Sequence, residues 1–223
     1  MLQQNTLQFL QQLTTNNSKV WFDANRKTYE NAKQDFQNLV EKLIAGIGTF
    51  DLPIADLEVK NCTFRINRDV RFSKNKNPYK TNFGAHFVKG GKKMMGAGYY
   101  LQVEPNNKSF LVGGVYMPEA ADLAKIRQEI DYNFKAFAAI VSNKAFVKTF
   151  KQLSKDDGMV LSRPPKGYDV ENEAIQYLKH KSFIASTPVT DEELTDKNFV
   201  KNTIAKCKLL QPLVQYLNQA IES

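Results

Sequence analysis

Thiol chemistry is nearly absent from the chain. Its two cysteines, Cys62 and Cys207, lie far apart and in no metal-binding or redox spacing. Cysteine-built zinc sites need closely spaced pairs, so that class falls away, and cysteine poverty fits a reducing compartment. Cys207 shares helical spacing with Leu210, Val214 and Leu217 and reads as core rather than as a nucleophile. No apolar run reaches the roughly eighteen residues that a membrane-spanning helix needs. The start, Met1-Leu2-Gln3-Gln4-Asn5, has neither the basic region nor the apolar stretch of a secretory signal. The expectation is a soluble, cytoplasmic protein with no membrane partner.

Histidine is as scarce. His86 alternates with Ala85 and Phe87 on an expected strand and should face the sheet, and neither it nor His180 has ligand spacing to Cys, Asp or Glu. His180 is expected at a helix end, where a cationic side chain is favoured. No Gly-x-Ser-x-Gly elbow occurs. Gly91-Lys92-Lys93 lacks the upstream glycine and the hydroxyl residue of a phosphate-binding loop. Gly96-Ala97-Gly98-Tyr99-Tyr100-Leu101 lacks the third glycine of a dinucleotide fingerprint and leads into a strand. No metal and no cofactor are therefore expected.

What remains is ample. The 223 residues are 42% hydrophobic and 24% charged, enough for a real core, and are read as one domain, residues 1–223. Leu7, Leu10 and Leu13 mark a short helix over Leu2–Leu13. A long amphipathic helix is expected from Lys19 to Gly46, with Phe22, Tyr29, Phe36, Leu39, Val40, Leu43 and Ile44 on its apolar face. Leu57–Val70, Phe83–Val88, Tyr99–Val103 and Phe110–Met117 read as strands. The last three are joined at Gly90-Gly91 and at Pro105-Asn106-Asn107. Short links mean antiparallel pairing. One helix is expected after Pro118, with Leu123, Ile126, Ile130, Phe134, Phe137 and Val141 as its apolar stripe, and others over Ala145–Phe150, Glu171–His180 and most of Asp191–Ile221, where Pro212 should kink or break the last one. Met159–Leu161 and Ser182–Ser186 read as extended. Strands clustered between helical ends define an α+β fold: an antiparallel meander of about four or more strands packed by N- and C-terminal helices.

The charge is unevenly placed. Between Phe64 and Lys93 lie nine basic residues and one acid, Asp69, so this window alone equals the net charge of +8. Elsewhere twenty-two bases meet twenty-two acids. A localised field of this kind points to an anionic partner. Arg65, Arg68 and Arg71 offer planar forks that match phosphate or carboxylate edges, Lys76 and Lys80 add point charge, and Tyr79 and Asn82 add neutral donors. Glu104, on a strand face with Tyr100 and Gln102, is expected to pair structurally with an arginine, or to orient one or act as a base. A second constellation is Arg163, Lys166, Tyr168, Asp169 and Lys181, on a loop stiffened by Pro164-Pro165. A structural clamp, with Arg163 on a helix C-terminus, is the favoured reading there and a binding loop the alternative.

The run from Phe64 to Asn82 resembles the signature of the domain of unknown function 2461 family. Asn17-Ser18-Lys19-Val20-Trp21-Phe22-Asp23, Gly98-Tyr99-Tyr100-Leu101, Met117-Pro118-Glu119 and Ile126-Arg127-Gln128-Glu129-Ile130 resemble it too. So do Arg163-Pro164-Pro165-Lys166-Gly167-Tyr168 and Leu178-Lys179-His180-Lys181-Ser182-Phe183. The resemblance implies one domain of bacterial and fungal distribution, and it carries over no catalytic residues.

Three functions compete. The first is a pocket for a small anionic ligand bearing phosphate or carboxylate, either binding alone or within an enzyme. Arg65, Arg68 and Arg71 would hold the charge, Lys76, Tyr79 and Lys80 would close the site, and Glu104 or Asp69 would orient it. The second is a nucleic-acid-binding module, from the basic segment beside sheet aromatics. The third is a protein-interaction domain docking an acidic partner.

Overall fold

The computed structural model describes residues 1–156 and 158–223, and among them are eleven helices and four strands. The α+β class and the antiparallel meander stand, with helices of both termini packed against the sheet. The strands are β1 (Phe83–Phe87), β2 (Gly98–Val103), β3 (Ser109–Val115) and β4 (Phe183–Val189), in the order β1-β2-β3-β4. Period-two alternation sends Phe83, Ala85 and Phe87 and then Tyr99, Leu101 and Val103 into the core, while His86, Tyr100 and Gln102 stay partly exposed. The five-residue β2–β3 connection, 104–108, places Asn106 (φ 67°) and Asn107 (φ 58°) in the left-handed region, which asparagine tolerates better than most residues. Asp191 accepts from both of their backbone N–H groups, at 2.9 and 3.1 Å, and so pins the turn.

One expected strand is corrected. Leu57–Val70 does not form a strand of the sheet, and the fourth strand is β4, which takes in the stretch foreseen as extended around Ser182. Short helices α4 (Leu52–Ala55) and α5 (Val59–Cys62) occupy the start of the region. The alternation beyond them is real, with Ile66 buried and Arg65 and Asn67 exposed, but the pairing breaks into isolated bridges, Thr63 with Ala85 and Asn67 with Tyr79. Pro78, opposite Arg68, accepts from the Arg68 N–H at 2.9 Å and has no N–H to return, so a ladder cannot continue past it.

Helix boundaries shift where polar side chains compete for the backbone. After α1 (Gln4–Thr15), the expected single helix from Lys19 is α2 (Lys19–Ala24) and α3 (Arg26–Gly48), divided at Asn25. Asn25 Nδ2 donates to the Trp21 carbonyl at 2.9 Å, a local bond that competes with helix propagation. The expected Glu171–His180 helix contracts to α9 (Ile175–Leu178), because Asp169 and Asn172 accept from the N–H groups of Glu171 and Ala174 in Asx turns. The single helix expected after Pro118 is divided at Asn133 into α6 (Ala120–Tyr132) and α7 (Phe134–Val141), whereas α8 (Lys144–Phe150) follows the sequence closely. After α10 (Asp191–Thr195), α11 (Phe199–Glu222) runs through Pro212 without interruption. Buried Leu210, Leu213, Val214 and Leu217 hold it, and packing outweighs the one missing N–H.

The chain forms two compact units, each built from three segments. The first comprises Met1–Lys93, Tyr100–Leu111 and Pro188–Ala205, and the second Met94–Tyr99, Val112–Thr187 and Lys206–Ser223. In the first, Asp35 of α3 accepts from Gln3 N–H (2.8 Å) and Thr6 Oγ1 (2.6 Å), fastening the start of α1, and Phe36 stacks on Phe83 of β1 at 5.2 Å. In the second, Phe137 of α7 meets Tyr177, Phe183 and Tyr216 at 5.1–6.4 Å. There Gly113 of β3 lets α11 approach closely, since a Cβ would lie 2.7 Å from Leu210 Cδ1. No helix among the described residues is long and apolar enough to cross a membrane.

Candidate functional site

The basic segment is a built structure within the first unit. Phe64 N–H donates to Gly84 O, Lys80 N–H to Ile66 O and Arg68 N–H to Pro78 O, so Phe64–Arg68 runs antiparallel to Pro78–Gly84 with an irregular tip between them. Its base is bracketed by Asn17. Asn17 Nδ2 donates to Tyr79 O at 3.0 Å, while Asn17 Oδ1 accepts from Tyr79 N–H at 3.1 Å. The Tyr79 ring is 6% exposed and stacks on Phe22 at 3.9 Å, so it serves the core rather than closing a site. Phe72, at the tip, is 96% exposed.

Most of the segment's cations are already engaged. Arg68 donates to Asn77 O (2.9 Å) and Ser73 Oγ (3.2 Å), tying the tip together. Arg71 forks onto Asp69 at 3.0 and 2.6 Å, and these bonds, helped by the charge of Arg65, hold the Asp69 carboxyl below its usual range. Lys76 donates to Val70 O at 3.1 Å, and Lys92 to the carbonyls of Lys60 and Thr63. Asn82 is half-buried below the segment.

Lys74 and Lys93 are exposed, and two further cations lie at Phe64, Arg65 next to it in the chain and Lys80 beside its ring. Arg65 is exposed and makes no hydrogen bond or salt bridge among the described residues. Lys80 is half-buried with its Nζ 5.4 Å from the centre of the Phe64 ring. Burial first, and then the charge of Arg65, lower its pKa. Phe64 begins a run of tilted rings over the half-buried face of the sheet, 6.3 Å from Tyr100 with 60° between their planes, and Tyr100 is 5.9 Å from Phe110 at 42°. Gly84 makes room for the Tyr100 ring, since a Cβ there would lie 2.6 Å from the hydroxyl oxygen.

A polar line continues from Tyr100. Its hydroxyl donates to Gln102 Oε1 (3.1 Å), and Gln102 Nε2 donates to Glu104 Oε2 (2.7 Å). Burial and the Glu104 charge push the Tyr100 phenol up to about 12, so it stays a neutral donor. The expected Glu104–arginine pair is not formed among the described residues; Gln102 is the partner instead. His86 is half-buried on the same strand face as Gly84, and burial lowers its pKa.

The second constellation belongs to the second unit. Arg163 and Lys166 are exposed, and Lys181 is half-buried with its backbone paired to Met159. The helix-end clamp expected of Arg163 is made by Arg127. Its Nε donates to Leu178 O at 2.7 Å and a terminal nitrogen to His180 O at 3.1 Å. Tyr168 lies within the field of Arg127 and Asp131, and Asp131 accepts from Asn172 at 2.5 Å. His180, expected at a helix end where a cation is favoured, is 1% exposed, and burial lowers its pKa. Arg127, Asn17 and Asn218 escape a reading by charge density, being isolated in sequence from their partners. Asn218 repeats the Asn17 device, bracketing Ala97 N–H and O at 2.8 and 3.0 Å.

The profile of the family described as conserved hypothetical protein (DUF2461) matches residues 5–216, and the chain belongs to that family. No curated protein and no solved structure gives a match.

Proposed function

We propose that the protein binds a small anionic ligand, bearing phosphate or carboxylate, at Arg65 and Lys80. The observation that carries this reading is the pairing of these two cations. Lys80 Nζ stands 5.4 Å from the ring of Phe64, the residue next to Arg65 in the chain, while Arg68 and Arg71 are spent on the loop itself. Holding like charges together is unfavourable, and an anion between them relieves that cost. Arg65 supplies a fork and Lys80 a point charge, the combination that suits an oxyanion. Thermal-shift titration with inorganic phosphate and small carboxylates tests it. A ligand at a hundredfold its Kd should add about 2.7 kcal/mol of stability. Arg65→Ala and Lys80→Ala should each abolish the gain, and the reading fails if no such anion stabilises the native chain.

The nucleic-acid reading draws on one separate feature, the exposed Phe72 at the tip among Arg71, Lys74 and Lys76. Oligonucleotide binding that weakens steeply with salt and is lost in Phe72→Ala would favour it.

A further inference from the structure

We propose that the sheet face beside Arg65 and Lys80 takes a nucleoside phosphate, its base on the exposed Phe64 ring beside Tyr100 and Phe110 and its phosphate on the two cations. This rests on the anion-binding reading and narrows it to a ligand class. A bare oxyanion would use only the cations. It would leave the aromatic run idle, although Phe64 is 39% exposed and its ring lies next to Tyr100 at 6.3 Å. The Phe64 ring, tilted 60° to Tyr100, offers an exposed face on which a planar base can stack, with Tyr100 and Phe110 flanking it.

The polar line sets the ligand's polarity. Glu104 lies four residues beyond Tyr100, on the order of 13 Å along the strand, with a carboxylate that accepts a hydrogen bond from Gln102. A carboxylate accepts several hydrogen bonds and donates none, and the Gln102 amide keeps a second N–H. The site is therefore cationic at one end and aromatic along its floor, with the Glu104 acceptor beside a Gln102 N–H donor at the other. That order matches a phosphate, a stacking ring and a base edge that both donates and accepts. The two-ring face of a purine stacks more strongly than the single ring of uracil or thymine.

Calorimetric titration of the full chain with adenosine monophosphate, uridine monophosphate, adenosine and inorganic phosphate tests this. Adenosine monophosphate should bind at least about tenfold more tightly than phosphate, and more tightly than uridine monophosphate. Phe64→Ala should weaken adenosine monophosphate about tenfold and leave phosphate unchanged, whereas Lys80→Ala should weaken both. Phe64→Leu keeps the bulk without the ring and guards against a folding defect. Equal binding of phosphate and nucleotide would overturn this inference while leaving the anion-binding reading intact, and binding of neither would overturn both. Tight nucleotide binding indifferent to Phe64 and Lys80, or affinity that climbs with oligonucleotide length, would also overturn it.

Discussion

Burial decides the chemistry of individual side chains here more than their type does. His180 sits between the rings of Tyr177 (6.4 Å) and Phe183 (5.9 Å), and its Nδ1 finds no partner among the described residues. Its folded pKa lies below the ordinary 6.5, through burial, with Lys155 adding repulsion and a backbone hydrogen bond to Ser182 opposing. The unfolded chain then takes up a proton first as the pH drops. Stability is complete above about pH 6.5 and declines as the pH falls from there toward the folded value. His86, depressed the same way, adds to the slope. Denaturant titrations from roughly pH 7.5 to pH 5 should show this decline, and His180→Leu should flatten it without removing the His86 share. Arg127 is a second case. Arg127→Met uncovers the carbonyls of Leu178 and His180 and should cost about 1–3 kcal/mol in chemical denaturation. Arg127→Lys should recover only part of it, because an ammonium lacks the planar fork.

At the scale of elements, two asparagines act as single-residue strands. Asn17 and Asn218 each give one acceptor and one donor to a backbone amide, at Tyr79 and Ala97. Asn17→Ala should cost about 1–2 kcal/mol and speed hydrogen exchange at the Tyr79 amide. If exchange there is unchanged, the bracket does not hold the loop. Gly84→Ala tests the sheet face, since its Cβ must displace the Tyr100 ring and with it the start of the polar line. Ligand binding at the candidate site should fall more than the midpoint of thermal unfolding does. The antiparallel meander was legible in sequence because alternation and turn residues coincide at Asn106-Asn107. The fate of Leu57–Val70 was not, since its alternation is sound and only the partner strand, carrying Pro78, prevents a ladder.

For the whole molecule, each compact unit is assembled from three separated segments, and β2, β3, β4 and α11 contribute residues to both. A chain threaded in this way favours one cooperative unfolding transition, the behaviour of a single domain. Fluorescence of Trp21, in the first unit, and far-ultraviolet circular dichroism should give coincident denaturation curves. Separated curves would divide the chain into two independent domains.

By itself the sequence determined the period of the strands and helices and the concentration of charge between Phe64 and Lys93, because both depend on residues near one another in the chain. Only the tertiary structure decided which charges remain available. Arg71 meets Asp69, Arg68 meets Ser73 and Asn77, and Glu104 turns to Gln102. Lys80 remains beside the Phe64 ring, with Arg65 next to that residue in the chain, because electrostatic and hydrogen-bond partners are chosen by distance in space, not by separation along the chain.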